Sequence, residues 1–457
     1  MRTLGPLKLV DWLLLVVVLT AAAALRSYYI VEFTERGEAE PSAVYRVQSD
    51  PTPLDETHVA SPAFVRCREF LTKVLEEEGG GQIQPQAAIR WLHVVLGTLT
   101  AGLYFALGRR AFASTLVGLL AGLFVAADPF AIINTGELQD GTAASFLLAV
   151  AVTAGATAGQ RAGAISSILM GLALAGLVLL RLALAPFALV TLIWFLYRSS
   201  NIKQGWLTAL LAFLAFGAAV GSWMGNNYQR RGEPLPIVDT VWWHLWLGNN
   251  PQATGGPLPA FAAPRDEKPE PDKPQGQIPA DEKAQRKPAP IPHMGHEELA
   301  RNVLDEVTNH PVETVERRVL AALWFFTGNI EGQRFAMFAE PVRQPGEEPL
   351  PHLGDVLYCT LIGMLFLALI GWRWSYVWRY HSMPLQLAVF WVPLPYLLSH
   401  AEALHGPRLP LDGVLLTLGA FAVCCLVPGL GGRLLRGELP GSAEAETTPQ
   451  TPAPARL

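Results

Sequence analysis

Residues 164–197 read AISSILMGLALAGLVLLRLALAPFALVTLIWFLY, a run of 34 residues in which Arg181 is the one charged side chain. A helix of that length would measure about 51 Å at 1.5 Å per residue, whereas the apolar core of a bilayer is about 30 Å thick. One crossing cannot absorb the whole run. It therefore predicts two membrane-spanning helices that turn near Arg181, and it indicates an all-α polytopic membrane protein.

The composition of the whole chain agrees with this class, because 51% of its residues are apolar and 16% are charged. The small net charge of −5 and the lack of a basic stripe argue against a nucleic-acid partner. Apolar segments near the length of one crossing predict about ten transmembrane helices. They are 9–25, 88–107, 113–127, 142–158, 164–180, 182–196, 206–224, 355–372, 383–400 and 411–430.

The short loops between these segments carry opposite charges on alternate sides. Arginine and lysine occupy one set, and carboxylates occupy the other, which is the positive-inside pattern of a plasma (inner) membrane protein with a cytoplasmic N-terminus. The basic set holds Arg109, Arg110, Arg161, Arg198, Lys203, Arg373 and Arg379, whereas the acidic set holds Asp128, Glu137, Asp140, Glu402 and Asp412. The sequence 26–29, Arg-Ser-Tyr-Tyr, is typical of an interfacial anchor after the first span.

Two long polar segments, 27–87 and 225–354, fall on the outer side in this topology. The second contains an insertion, 257–292, with ten prolines among many charges, which is expected to be disordered. Residues 296–327 predict two short amphipathic helices broken at His310. The sequence thus indicates one membrane domain, 1–430, followed by a disordered cytoplasmic tail, 431–457.

Adjacent carboxylates in the first outer loop are candidates for chemistry. Asp55 and Glu56 stand three and two residues before His58, and such a group could act as a general base or bind a divalent cation. An ordinary solvated acidic loop is the other interpretation. Glu38 and Glu40 lie nearer the first span and remain alternative bases.

The second outer loop and the turn between the fifth and sixth spans hold the next candidates. Glu137 and Asp140 precede an apolar helix, where a carboxylate could simply complement the positive helix end. Placing the charged side chain of Arg181 among apolar neighbours costs free energy. It could pair with an outer carboxylate, bind a phosphate through its planar guanidinium, or extend to the membrane surface.

Aromatic and amide side chains lie close together in 242–256, where Asn249 and Asn250 follow three tryptophans. Rings cover the apolar face of a sugar and amides bond its hydroxyls, although a tryptophan belt at the membrane surface is the alternative. The last outer loop places His405 and Arg408 together, which favours anion binding.

Four of these segments resemble polytopic glycosyltransferases of the type C superfamily, above all bacterial members related to protein mannosyltransferases and to the aminoarabinose transferase of lipid A. They are 90–112 with its Gly-Arg-Arg-x-Phe turn, 128–140, 227–256 with Leu-Gly-Asn-Asn-Pro, and 405–410. The resemblance implies a sugar transferase that uses a polyprenyl-phosphate-linked donor, faces outward, and inverts the anomeric carbon with a carboxylate base.

On this hypothesis Asp55 and Glu56 are the catalytic acids, a divalent metal ion is a candidate cofactor, and the sugar acceptor could be a protein, a lipid or a glycan. The residues expected to bind the donor phosphate or substrate are Glu137, Asp140, Arg181, Asn249, Asn250, His405 and Arg408. Two alternatives remain open, namely a transporter or lipid-carrier flippase and a catalytically inactive relative.

Overall fold

The computed structural model describes residues 8–34, 62–78, 85–161, 163–200, 205–231, 241–251, 253–255, 295–327, 353–399 and 408–438. Their regular structure is entirely helical, with no strand among them. The α-helices in chain order are α1 Leu9–Tyr29, α2 Pro62–Glu78, α3 Pro85–Ala111, α4 Thr115–Ala127, α5 Pro129–Gly136, α6 Gly141–Arg161, α7 Ala164–Leu180, α8 Ala185–Ser200, α9 Gly205–Arg231, α10 Val241–Gly248, α11 His296–Asn309, α12 Pro311–Thr327, α13 Leu353–Trp374, α14 Arg379–Trp391, α15 Leu394–Leu398, α16 Leu409–Cys425 and α17 Leu430–Arg436.

Six segments within the described residues are long and apolar enough to cross a membrane. They are Leu9–Glu32, Pro85–Ala111, Gly141–Ala158, Leu182–Ser200, Gly205–Gln229 and Thr360–Leu398. The bent pair α4 and α5 can form a seventh, and α7 and α16 are shorter apolar helices. The predicted class of an all-α multi-pass membrane protein in contact with the bilayer is confirmed. Length and apolarity establish six or seven candidate spans, fewer than the ten predicted.

The helix break predicted at Arg181 is confirmed. α7 ends at Leu180, Arg181 has extended backbone angles (φ −141°, ψ 106°), and a short 3₁₀ turn, Leu182–Leu184, leads into α8. Pro186 stands in the first turn of α8, where the missing N–H of proline costs nothing because the first N–H groups of a helix have no partner within it.

A second break, at Asp128, bends α4 against α5 by 45°. The carboxylate of Asp128 accepts a hydrogen bond from the N–H of Phe130 at 3.1 Å, and Pro129 occupies the first helical position. This is an N-cap that begins a new helix. The bend therefore places the turn after Gly136 beside the start of α6.

Ion pairs and hydrogen bonds sort the helix ends into two sets. At one end, called the Asp11 end, Asp11 near the start of α1 pairs with Arg109 at the end of α3 at 2.9 Å and accepts from Thr115 at 2.7 Å. At the opposite end, called the Arg26 end, Arg26 of α1 donates to the carbonyls of Val125 and Ala126. α1 and α4 therefore run in one direction, and α3 runs in the opposite direction.

The segments outside the spans pack against the Arg26 end. α11 and α12 are separated at His310, as the sequence predicts, and Arg317 joins them through Glu306 at 2.7 Å. α12 also contacts α15 and α13. α2, which follows the first outer loop, packs on α3 and α7. The Arg26 end thus carries the polar elements that the sequence assigns to one side.

Candidate functional site

Arg181 and Asp140 form a bidentate ion pair at the Arg26 end. The guanidinium Nε and Nη2 donate to Oδ2 and Oδ1 of Asp140 at 2.8 and 2.7 Å, and the two side chains are 14% and 12% exposed. Burial lowers the pKa of Arg181, but Asp140 outweighs burial and raises the pKa above its ordinary value, with Tyr396 of α15 contributing. Of the roles predicted for Arg181, the pairing with an outer carboxylate is present.

Glu137 stands three residues before Asp140 and is mostly buried. Burial raises its pKa to about 7, while the guanidinium of Arg90 on α3 opposes that rise. Arg90 itself donates to the carbonyl of Gly136 at 3.0 Å, which fixes it beside the turn. A carboxyl group whose pKa is near neutrality can accept and release a proton under ordinary conditions.

One helical turn after Arg90, His93 is buried beneath α2. The side chain is 1% exposed, and its Nδ1 has no hydrogen-bond partner in the described part of the chain. Phe64 of α2 stacks on the imidazole with ring centroids 6.1 Å apart. Asp55 and Glu56 precede α2 in the sequence but lie outside the described residues, as do Glu38 and Glu40.

Arg408, by contrast, is engaged in holding helices together. Its guanidinium pairs with Asp412 at 2.8 Å, donates to the carbonyl of Phe326 at 2.6 Å, and lies over the ring of Phe130 at 5.4 Å. The residue is 2% exposed, so these contacts tie α16 to the end of α12. His405 lies outside the described residues.

Asn249 and Asn250 also serve the fold. Asn249 donates to the carbonyl of Leu398 at 3.0 Å and accepts from Arg318 at 2.8 Å, while Asn250 donates to the carbonyl of Trp246 at 3.0 Å. Both side chains are buried. The amide groups that the sequence predicts for sugar binding therefore already close the turn after α10.

Arg318 is the centre of that arrangement. It donates to the carbonyls of Leu397, Ser399 and Gly248 at 2.6, 3.0 and 2.6 Å. Burial and, to a smaller extent, the positive charge of the neighbouring Arg317 together lower its pKa to about 10. One guanidinium thus joins α10, α12 and α15. The sequence does not reveal this role, because the three helices lie far apart along the chain.

A small cavity lies between α1, α3, α4, α6 and α16 and measures about 20 Å³, which is room for about one water molecule. Arg26, Tyr104 and Asp128 line it, together with Thr100, Thr142 and Ser145. Arg26 and Tyr104 are each 1% exposed, and Arg26 Nε and Tyr104 Oη have no hydrogen-bond partner among the described residues. The interpretation of Arg26 as an interfacial anchor is wrong, because its guanidinium points into the bundle and caps α4.

No model of a known protein family matches this chain, and no curated protein matches it either. Among the described residues, no group of three or more His, Cys, Asp or Glu side chains is arranged to hold a metal ion. The structure brings together Glu137, Asp140 and Arg181, with Arg90, His93 and Tyr396 beside them. This set, called the outer cluster after the side on which the sequence predicts it, combines two guanidinium groups with a carboxyl of near-neutral pKa.

Proposed function

We propose that this chain is a membrane glycosyltransferase that moves a sugar from a polyprenyl-phosphate-linked donor to an acceptor on the outer face of the plasma membrane. The observation that carries the proposal is the outer cluster. Its charged groups come from α3, from the turn after α5 and from the turn after α7, and α2 lies against the same helices. A phosphate leaving group needs cations, and an acceptor hydroxyl needs a carboxylate.

The topology proposed for this enzyme has ten spans. The bent pair α4–α5 and the shorter α7 and α16 add three to the six long segments. The segment Thr360–Leu398 has 39 residues, about 58 Å of helix, and the 3₁₀ turn Ser375–Trp378 divides it in two. Arginines at the Asp11 end, such as Arg109 and Arg198, support a topology in which that end is cytoplasmic and the Arg26 end is outer, by the positive-inside rule.

The reaction would proceed by direct displacement. A carboxylate, Asp55 or Glu56, takes the proton of the acceptor hydroxyl as the acceptor oxygen bonds to the anomeric carbon. The bond from that carbon to the donor phosphate oxygen breaks, and polyprenyl phosphate leaves with the electron pair. Arg181 would stabilise the charge that develops on the phosphate. Asp140 would hold its guanidinium in one orientation, and Glu137 is a described alternative for the proton acceptor.

The same structure favours a transporter or lipid-carrier flippase as a second candidate. Buried ionisable groups within membrane helices usually mark a transport or relay path, and Arg26, Asp128 and Tyr104 surround a cavity. The two candidates differ in their products. A transferase forms a new glycosidic bond, whereas a flippase moves the lipid-linked sugar across the bilayer unchanged.

Proteoliposomes that contain the purified chain and polyprenyl-phosphate hexose or pentose, radiolabelled in the sugar, distinguish these possibilities. We expect labelled glycan or glycolipid, and we expect Asp55→Asn with Glu56→Gln to abolish it. Arg181→Lys keeps the charge but loses the planar pair of donors, so transfer should fall about tenfold or more. Arg301→Lys, on the exposed surface of α11, is the matched control.

Three outcomes would change or overturn the proposal. Unchanged transfer by Arg181→Lys would reduce this residue to a structural anchor. Transfer that survives loss of both first-loop acids but not Glu137→Gln would move the base to Glu137. Movement of labelled donor between leaflets without any product would establish the flippase instead.

A further inference from the structure

At the Asp11 end, far from the outer cluster, two guanidinium groups share one tyrosine ring. Arg379 Cζ lies 5.0 Å from the ring centroid of Tyr380, and Arg198 Cζ lies 5.9 Å from the same centroid. Arg379 also lies 4.8 Å from the ring centroid of Tyr376. The two positive charges are therefore held close together on α8 and α14, although like charges repel.

Among the described residues at the Asp11 end, positive side chains outnumber carboxylates. At this end, the described carboxylates are Asp11 and Glu438, and they are engaged with Arg109 and Arg436 respectively. His381 stands next to Arg198 and supplies no negative charge. Further cations at the same end come from Arg373 and Arg433.

The surroundings of the pair are those of a membrane surface. Tyr376 and Tyr380 are 58% and 54% exposed, and tyrosine concentrates at the level of lipid headgroups. Exposed apolar side chains continue from the patch along both helices, including Ile193 on α8 and Phe390 on α14. A ligand that offers an anionic group to the arginines and apolar chains to these faces satisfies both features.

We propose that Arg198, Arg379, Tyr376 and Tyr380, the Tyr380 patch, bind the phosphate of an anionic phospholipid in the leaflet at the Asp11 end. The guanidinium groups donate to the phosphate oxygens, and the acyl chains lie against α8 and α14. Basic pockets between membrane helices recognise headgroups in this way. The site is separate from the proposed transferase chemistry and does not depend on it, because it lies at the opposite end of the helices.

Native mass spectrometry and thermal unfolding of the full chain, with phosphatidylglycerol or phosphatidylcholine in mixed micelles, test the site. We expect selective retention of phosphatidylglycerol and a higher melting temperature with it. A lysine or arginine near an anionic surface is worth about fivefold in affinity, so Arg198→Gln with Arg379→Gln should weaken retention about 30-fold. The control is Arg66→Gln with Arg301→Gln, two exposed arginines at the Arg26 end.

Two further arms identify the source of the anion. Inorganic phosphate at millimolar concentration should not displace phosphatidylglycerol, because it lacks acyl chains, and equal competition would overturn the lipid assignment. Glu444→Gln with Glu446→Gln removes acids of the C-terminal sequence. Selective lipid retention that arises only in this variant would assign the patch to the chain's own tail. Equal retention of both lipids by the unmodified chain would also overturn the proposal.

Discussion

Replacing Asp140 by Asn should destabilise the chain far more than an ordinary surface substitution. The change removes the negative charge that pairs with Arg181 through bonds of 2.8 and 2.7 Å, while the guanidinium stays almost fully buried. Breaking one partner of a buried ion pair costs about 3–5 kcal/mol, because the other charge is left without compensation. The relevant measurement is the free energy of unfolding in mixed SDS micelles.

The Arg66–Glu69 pair of α2 is the matched control. It also joins a guanidinium to a carboxylate, at 3.1 Å, but its side chains are 54% and 53% exposed. Glu69→Gln should cost less than about 1 kcal/mol. Replacing both buried partners, with Asp140→Leu and Arg181→Met, should recover most of the lost stability. If Asp140→Asn is no more damaging than Glu69→Gln, the pair is solvated and the reasoning about a dry outer cluster fails.

Two more predictions concern packing and pH. Gly371→Ala should lower the free energy of unfolding by about 1–3 kcal/mol, because a new Cβ would lie 1.9 Å from the carbonyl oxygen of Leu418. The control is Gly363→Ala on the same helix, which meets nothing within 4 Å and should be neutral or slightly stabilising. Equal free energies of unfolding for the two variants would refute this prediction. Burial raises the pKa of Glu137 from 4.5 to about 7, so its contribution to stability is fully present below pH 4.5 and is lost as pH rises through about 7. Glu137→Gln should reduce the change of the unfolding midpoint with pH between pH 5 and 8. If the midpoint of the variant changes with pH as steeply as that of the unmodified chain, the carboxyl of Glu137 is exposed to water.

Much of the bundle follows from length alone. The run from 164 to 197 is too long for one crossing, and the structure breaks it at Arg181 as predicted. The bend at Asp128 depends on less visible chemistry, because an Asp-Pro pair after an apolar helix fits a helix end and an N-cap alike. The sequence does not specify that the chain turns by 45° there.

The partners of individual side chains were harder to predict. Sequence offers Arg181 several carboxylates, and tertiary packing selects Asp140. Asn249 and Asn250 have the residue types expected for sugar contacts, yet their amides satisfy backbone carbonyls at the end of α10 and α15. A helix end leaves several carbonyl groups without partners, and amides near that end serve them before they serve a ligand.

Arg26 shows why a buried cation can look like a surface anchor in sequence. Its position after an apolar helix fits the membrane surface, but Gly97 of α3 leaves room for the side chain, since a Cβ there would stand 2.5 Å from Arg26 Nε. The break at Asp128 frees the last carbonyls of α4, and Arg26 donates to two of them at 3.1 Å. The burial of Arg26 therefore needs three features from separate segments, namely the arginine itself, a glycine on α3 and a helix break after α4. Because that arrangement also holds Asp128 at the edge of the cavity, Gly97→Leu should expel Arg26 and free the carbonyls of α4.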